Sequence, residues 1–301
     1  MQPVYKTDWF TVQEVGDGVY AAIAKPGSGA GSNAGIVDLG GSALVFDSLM
    51  TPAAGAALLA AAQHLTGQKV RYLALSHRDY DHVMGAQAFP QAVVIATRLT
   101  DSVMRRRVGS ILASSEQERA NLIEGSARQV EEARPAGLRR ERQGFLDDLR
   151  ALMAVHDALA PHYADLLFDR SITVAGSRRR VDLHTFGAVH TESDAVAYLP
   201  DQGILFSGDI VQVGNHPAVR CGGPDEWDSV LQPIAALRPR VVVSGHGPIG
   251  GAEAIDLTRR YLAQLPAMST EELLVEPFRR WAASDVWRQN LRYLEGLREG
   301  S

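Results

Sequence analysis

The stretch LALSHRDYDHVMGA, residues 73–86, places two histidines and two aspartates within six residues, directly after an apolar run. The apolar run predicts a buried strand, so the polar side chains follow the point where the strand ends. Imidazoles and carboxylates held this closely need a cation or hydrogen-bond partners, because buried charges without partners are costly. The stretch therefore predicts a metal site, with His77, Asp79, Asp81 and His82 as candidate ligands.

Three further strand-like segments end in a side chain that can bind a metal. His190 follows VDLHTFG, Asp209 ends ILFSGD, and His246 ends VVVSGH. Each of these alone is more often a structural residue than a ligand. Because binding sites in α/β sheets gather where strands end, the four segments together favour one shared metal cleft.

Strand and helix patterns alternate along most of the chain, which predicts an α/β sheet with both faces covered. GVYAAIA, ALVFD, KVRYLALS and AVVIAT read as strands, and TPAAGAALLAAAQHLTG reads as a helix between them. After residue 170 the strands SITVAG, VDLHTFG, AVAYLP, GILFSGD and VVVSGHG follow, with the helix EWDSVLQPIAALRP before the last.

A polar, arginine-rich segment at about 100–169 separates these two halves. Apolar residues recur at helical spacing in GFLDDLRALMAVHDALAPHYADLLF, which predicts two or more helices inserted as a cap. From 101 to 180 there are 14 arginines and 12 acidic residues, so the charge is nearly balanced. A nucleic-acid footprint would be lopsided. We therefore expect a solvated cap that walls the site, and no nucleic-acid partner.

The C-terminal part, about 252–299, reads as helices, with Ser269 and Glu272 at the spacing of a capping box. Trp281, Trp287 and Tyr293 are expected either to cover the domain or to form a homodimer contact. We treat residues 1–301 as a single domain carrying the helical insertion and these C-terminal helices.

Composition sets wider limits on the class of protein. A hydrophobic content of 46% is ample for a core, and a net charge of −5 argues against nucleic acid or an anionic membrane as the main partner. A single cysteine, Cys221, excludes an intrachain disulfide and a cysteine-based metal cluster. With no secretory signal at the start and no apolar stretch long enough for a bilayer, we expect a cytoplasmic protein with a small-molecule substrate.

The order of these motifs resembles that of the metallo-β-lactamase-fold hydrolase superfamily, from about 33 to 251. HRDYDH is similar to the family signature His-x-His-x-Asp-His, and the later histidine, aspartate and histidine follow in the family order. The resemblance implies a four-layer αββα sandwich that holds one or two metals at its edge. It implies a first metal on His77, Asp79 and His190, a second on Asp81, His82 and His246, Asp209 as the bridge, and Asp47 as a support behind the ligands.

Asp79 departs from the family pattern, which has histidine at this position. A third carboxylate lowers the net positive charge of the site, so a metal-bound water would be less acidic. Oxygen donors also favour harder ions, so manganese or iron stands beside zinc as a candidate. We rank three alternatives: a site with two divalent ions comes first, a site with one ion, if Asp79 does not reach, comes second, and a metal-free site comes last.

The family resemblance implies a metal-dependent hydrolase whose metal-bound hydroxide attacks a small ester, lactone, thioester or amide. Asp81 would orient the nucleophile and accept its proton, and Asp209 would act with it. Tyr80, Asn215 and His216 are candidate substrate contacts, although Tyr80 is equally expected to pack.

Three other functions stay open. Some family members use iron, so an iron-dependent oxidoreductase resembling a dioxygenase is the first alternative. No flavodoxin-like domain follows, which argues against a flavodiiron electron-transfer role. A β-lactamase is the second, and is less expected without an export signal. The third is a non-catalytic relative that binds a ligand or partner, against which the complete ligand set argues.

Overall fold

The structure is a computed structural model, and it describes residues 2–268, 275–282 and 285–299. Ser269 and Glu272, the predicted capping box, lie outside the described residues.

The N-terminal half forms an eight-stranded sheet in which the strands lie in chain order. The pairs from β1 to β5 are antiparallel, and those from β5 to β8 are parallel. The strands are β1 (Tyr5–Lys6), β2 (Phe10–Gly16), β3 (Val19–Ala24), β4 (Ala34–Asp38), β5 (Ala43–Phe46), β6 (Val70–Ala74), β7 (Val93–Thr97) and β8 (Leu166–Phe168).

The C-terminal half forms a six-stranded sheet with the order β14-β13-β12-β11-β10-β9. β12 and β13 pair in parallel, and the other neighbours are antiparallel. The strands are β9 (Ser171–Ala175), β10 (Arg180–Thr185), β11 (Ala195–Leu199), β12 (Ile204–Phe206), β13 (Val241–Val243) and β14 (Ile249–Gly251).

The two sheets pack face to face because alternate residues of their strands are apolar on the shared side. In β5, Leu44 and Phe46 point into the core between the sheets, whereas Val45 joins the core on the outer face. Phe46 meets Phe206 of β12 across this core, with ring centroids 6.0 Å apart.

Helices cover the outer face of each sheet, which gives the four layers αββα and confirms the predicted fold class. Sequence signals set the first helix: Thr51 caps its N-terminus by accepting from the Ala54 amide, Pro52 is its first residue, and Gly67 ends it in the left-handed region. The helices are α1 (Pro52–Thr66), α2 (Tyr80–Val83), α3 (Arg98–Leu112), α4 (Glu116–Glu132), α5 (Ala136–Ala154), α6 (Pro224–Ala236), α7 (Glu253–Gln264) and α8 (Val286–Glu299), with 3-10 turns at Met84–Ala88, His156–Ala158, Leu265–Ala267 and Phe278–Arg280.

The inserted segment contains three of these helices, α3 to α5, followed by strand β8. The helical spacing of the apolar residues predicts a helix through Leu166–Phe168, and this prediction is wrong. α5 ends at Ala154, and Pro161, which has no amide hydrogen to donate, lies between it and the strand. Leu166–Phe168 then pair in parallel with β7 and close the edge of the first sheet.

The C-terminal aromatic residues pack within the chain, on the outer face of the second sheet. Trp281 and Trp287 are buried in the apolar cluster that α6, α7 and α8 form there, and Tyr293 is half-buried against it. No described helix has the length and apolar character to cross a membrane.

Candidate metal centre

The seven predicted ligands meet at one edge of the sandwich, although they come from four separate strand ends. His77 and Asp79 follow β6, and α2 carries Asp81 and His82. His190 lies between β10 and β11. Asp209 and His246 follow the adjacent parallel strands β12 and β13, so their side chains arrive side by side.

The ligand atoms form groups whose members lie within 4.8 Å of one another. In the first group, Asp79 Oδ2 lies 3.3 Å from His190 Nε2 and 3.7 Å from His77 Nε2. In the second, Asp81 Oδ2 lies 3.3 Å from His246 Nε2 and 3.5 Å from His82 Nε2.

Asp209 lies between the two groups and contacts both. Its Oδ2 is 3.4 Å from His190 Nε2 and 3.4 Å from His246 Nε2, and its Oδ1 is 3.6 Å from His82 Nε2. A carboxylate in this position could bind two neighbouring ions at once.

The spacing of the donor atoms fits a divalent ion. Two ligands about 2.0–2.1 Å from a tetrahedral zinc are roughly 3.4 Å apart, close to the observed separations. Six buried side-chain atoms of the described residues have no hydrogen-bond partner, and three of them, His77 Nε2, His82 Nε2 and Asp209 Oδ1, lie in this cluster. Buried polar atoms rarely lack partners, so three of them facing one point indicate room for a cation. The nitrogen and oxygen donors suit zinc, manganese or iron.

Asp47, the predicted support, lies behind two of the histidines. Its Oδ2 accepts from His82 Nδ1 at 2.9 Å and from the Ser76 hydroxyl at 2.8 Å, and that hydroxyl lies 2.8 Å from His77 Nδ1. Both rings therefore turn Nε2 towards the cluster, which is how carboxylates orient metal-binding histidines. The φ of Asp47 is 63°, a strained region for a residue with a Cβ, and such strain is common at functional sites.

Two loops are held in place by residues that sequence reasoning missed. Asp194 accepts from the amides of Val189, His190 and Thr191 and so fixes the loop that carries His190. Asn33 donates to the carbonyls of Ser244 and Gly247 at 2.9 Å each, on either side of His246. An aspartate four residues after a histidine could have signalled the first, but nothing near Asn33 in the sequence signals the second.

Gly245 is required directly behind the cluster. A Cβ at this position would lie 2.1 Å from Asp209 Oδ1 and 2.8 Å from His82 Cε1. The glycine of the SGH sequence that ends at His246 is therefore a packing requirement of the cluster as well as part of a turn.

Sequence reasoning also missed two arginines that contact Asp79. Arg78 Nη1 donates to Asp79 Oδ1, and Arg220 Nη1 donates to Asp79 Oδ2 at 2.6 Å. Arg78 is 6% exposed and also donates from Nε to Glu192 at 2.9 Å.

Carboxylates and imidazoles shift one another's pKa in the metal-free cluster. Burial lowers the pKa of His82, but the carboxylates of Asp81, Asp47 and Asp209 outweigh burial and raise it to about 9. For His246, burial is likewise outweighed by Asp209 and Asp81, and its pKa is raised. Without a metal, protons on these histidines therefore balance the carboxylates.

The three candidate substrate contacts lie in different surroundings. Tyr80 is half-buried, and its hydroxyl donates to the carbonyl of Arg107 in α3 at 3.2 Å, so it links the cluster to the cap. Asn215 is half-buried, and its Nδ2 packs against Gly247, beside His246.

His216 does not support the substrate-contact prediction. It is 5% exposed, and its ring lies in an aromatic cluster, 5.2 Å from Tyr261 and 5.9 Å from Trp281. Burial lowers its pKa to about 4, so the ring is neutral. Because its backbone amide donates to the Ala282 carbonyl, the residue joins its loop to the C-terminal segment.

The family model of the metallo-beta-lactamase superfamily matches residues 27–246 of this chain. The chain therefore belongs to the metallo-beta-lactamase superfamily, which confirms the predicted family.

A curated relative, metallo-beta-lactamase type 2 from Bacteroides fragilis, is 30% identical over 104 residues. That match spans 32% of this chain and 41% of the relative, so the chain covers less than half the length of this relative.

Several solved structures of similar fold align with this chain over nearly their whole length. A metallo-beta-lactamase from Erythrobacter litoralis has a TM-score of 0.61 and 17% identity, covering 86% of this chain and 99% of its own. The enzyme FIM-1 from Pseudomonas aeruginosa, in its mono-zinc form, has a TM-score of 0.59 and 18% identity, covering 85% and 95%. A metallo-beta-lactamase from Pontibacter korlensis has a TM-score of 0.57 and 18% identity, covering 84% and 99%. At identities of 17–18%, these similarities show a shared fold.

Family membership, together with clusters of histidine and aspartate that could hold metal, supports a metal-dependent hydrolase.

Proposed function

We propose that the protein is a hydrolase that holds two divalent ions, with zinc as the leading candidate, and cleaves a small ester, lactone, thioester or amide. The observation that carries the proposal is that His77 Nε2, His82 Nε2 and Asp209 Oδ1, among the seven converging ligands, are buried without a hydrogen-bond partner. A histidine and aspartate cluster built for structural hydrogen bonding would pair these atoms with one another or with the backbone.

The roles of the residues follow from their contacts. His77, Asp79 and His190 would hold one ion, Asp81, His82 and His246 the other, and Asp209 would bridge them. Bound divalent ions supply an activated water and polarise the substrate carbonyl. Asp81, whose pKa is lowered to about 2 despite burial because His82 and His246 are close, stays ionised and would orient the nucleophile.

The mouth of the site would be shaped by the cap. Tyr80 and Asn215 stay candidate substrate contacts, because each is half-buried beside a proposed ligand.

We propose a small molecule as the substrate, and neither nucleic acid nor a membrane as a partner.

β-Lactam hydrolysis is the second candidate function. It is favoured by the name of the curated relative, metallo-beta-lactamase type 2, and by the fold shared with several metallo-beta-lactamases. β-Lactams therefore belong in the same substrate panel as esters, lactones, thioesters and simple amides.

The test combines metal analysis with that panel. Chelated protein is reloaded with zinc, manganese or iron, its metal content is measured, and hydrolysis is followed together with oxygen uptake. We expect about two ions per chain and hydrolysis that depends on them. Iron with substrate-dependent oxygen uptake would instead favour the iron-dependent oxidoreductase.

A matched pair of variants makes this test specific. Asp209→Asn keeps the shape of the side chain but removes its charge, and we expect it to lose both metal and activity. Asp201→Asn changes a partly exposed aspartate in the turn before β12 and should keep both. Wild-type metal content in Asp209→Asn would rule out the proposed bridge.

A further inference from the structure

The two arginines on Asp79 differ in their other partners. Arg78 pairs with Asp79 and with Glu192, so Glu192 offsets its charge. Arg220 enters from the loop before α6, with a side chain 48% exposed, and among the described residues its one ion pair is with Asp79. The Asp79–Arg220 contact is therefore a neutral pair, with the Arg78–Glu192 pair beside it.

The contact leaves Asp79 free to bind an ion. A carboxylate has about four lone-pair positions, so Oδ2 can accept from Arg220 and still face His77 and His190. Asp79 therefore reaches both histidines although its side chain is short.

The pair also changes the charge of the cluster. Histidine, the family residue at position 79, is neutral when it binds a metal, whereas a lone aspartate would add a negative charge. Paired with Arg220, Asp79 contributes no net charge.

We propose that Arg220 is a positioning residue that compensates the charge of Asp79, so that the Asp79–Arg220 pair takes the place of a neutral histidine ligand. This inference rests on the proposed function, because it needs an ion at the group of His77, Asp79 and His190. It concerns the strength of ion binding and can be tested without any substrate.

The test is a cycle of four proteins: wild type, Arg220→Gln, Asp79→His and the double variant. Zinc affinity is measured by competition with a chromophoric chelator, and folding is checked by circular dichroism. Arg220→Gln leaves Asp79 uncompensated, so we expect zinc to bind about tenfold more tightly at the group of His77, Asp79 and His190. Asp79→His leaves Arg220 uncompensated, so we expect binding to weaken by about tenfold. The double variant restores a neutral position and should return to within about threefold of wild type.

A matched control is available in α3. Arg105 is 50% exposed and pairs with Asp101 at 2.7 Å, an ion pair similar to that of Arg220 but outside the cluster. Arg105→Gln should leave zinc affinity unchanged.

The outcomes separate this inference from the proposed function. If wild type binds zinc but Arg220→Gln binds it equally or less tightly, the charge compensation is wrong while the site stands. If wild type binds none of zinc, manganese and iron, the proposed function itself fails. If Asp79→His does not fold, Arg220→Gln against Arg105→Gln still decides the inference.

Discussion

Asp47 shows how one residue can set the geometry of a whole cluster. It contacts His82 directly and reaches His77 through the Ser76 hydroxyl, so one buried carboxylate orients histidines from both groups. Its strained φ of 63° is tolerated because three hydrogen bonds hold it at the end of β5.

We expect Asp47→Asn to weaken metal affinity by about 10–100-fold, because an amide is a weaker acceptor and its NH₂ group opposes one of the three donors. Metal affinity by chelator competition measures this effect. Asp38→Asn is the control, since Asp38 is similarly buried at the end of β4 and touches no proposed ligand. Equal effects of the two changes would show that Asp47 serves folding alone.

Among individual residues, the seven side chains that meet and the aspartate behind them could be predicted from the sequence. This is possible because metal-binding residue types stand out at strand ends. Arg220 and Asn33 escaped notice because arginine and asparagine are common on surfaces, and their partners lie 141 and 211 residues away in the chain. His216 was predicted as a substrate contact because it is close to Asp209 in sequence, which does not reveal the aromatic cluster that buries it.

The loop between β3 and β4 connects the cap to the cluster. In α5, Asp148 accepts from the amides of Gly29 at 2.6 Å and Gly27 at 3.2 Å, and burial raises its pKa. Further along this loop, the Ser32 hydroxyl donates to the Asp81 carbonyl at 2.6 Å. The cap helix thus holds a loop that in turn holds a proposed ligand.

Asp148→Ala should lower the free energy of unfolding by about 1–3 kcal/mol, because the buried Gly29 amide and the partly buried Gly27 amide lose their acceptor. Metal affinity should fall as well, since the loop no longer holds Asp81 firmly. Urea unfolding and chelator competition measure the two effects. Asp147→Ala, which changes the partly exposed neighbour that pairs with Arg150, should do neither. A loss of stability without any loss of metal affinity would show that the loop is independent of the cluster.

Most helices and strands could be predicted from the spacing of their apolar residues and from the residues that begin and end them. Helix α1, with its Thr51 cap, Pro52 start and Gly67 end, is an example. Strand β8 could not be predicted, because the three-residue run Leu166–Phe168 has no period and becomes a strand only by pairing with β7.

Across the whole molecule, charge balance links metal, protons and stability. In the metal-free protein the raised pKa of His82, about 9 against an ordinary 6.5, means that its ring is protonated at pH 7. A metal binds the neutral ring, so uptake must release protons and metal affinity must rise as the pH increases towards about 9.

Calorimetric titration with zinc at pH 7, in buffers of different ionisation enthalpy, measures this proton release. We expect the observed heat to change with the buffer in the direction of protons leaving the protein. The same shift stabilises the metal-free fold below about pH 6.5 and is lost as the pH rises through about 9, so chelation should lower Tm more at pH 9 than at pH 7. A heat of binding that is the same in every buffer would contradict the proposed protonation state.

The most direct measurement is anomalous diffraction at the zinc edge from crystals of the zinc-loaded protein. We expect two peaks, one enclosed by His77, Asp79 and His190 and the other by Asp81, His82 and His246, with Asp209 between them. Peaks elsewhere on the chain, or none at this edge of the sandwich, would contradict this prediction.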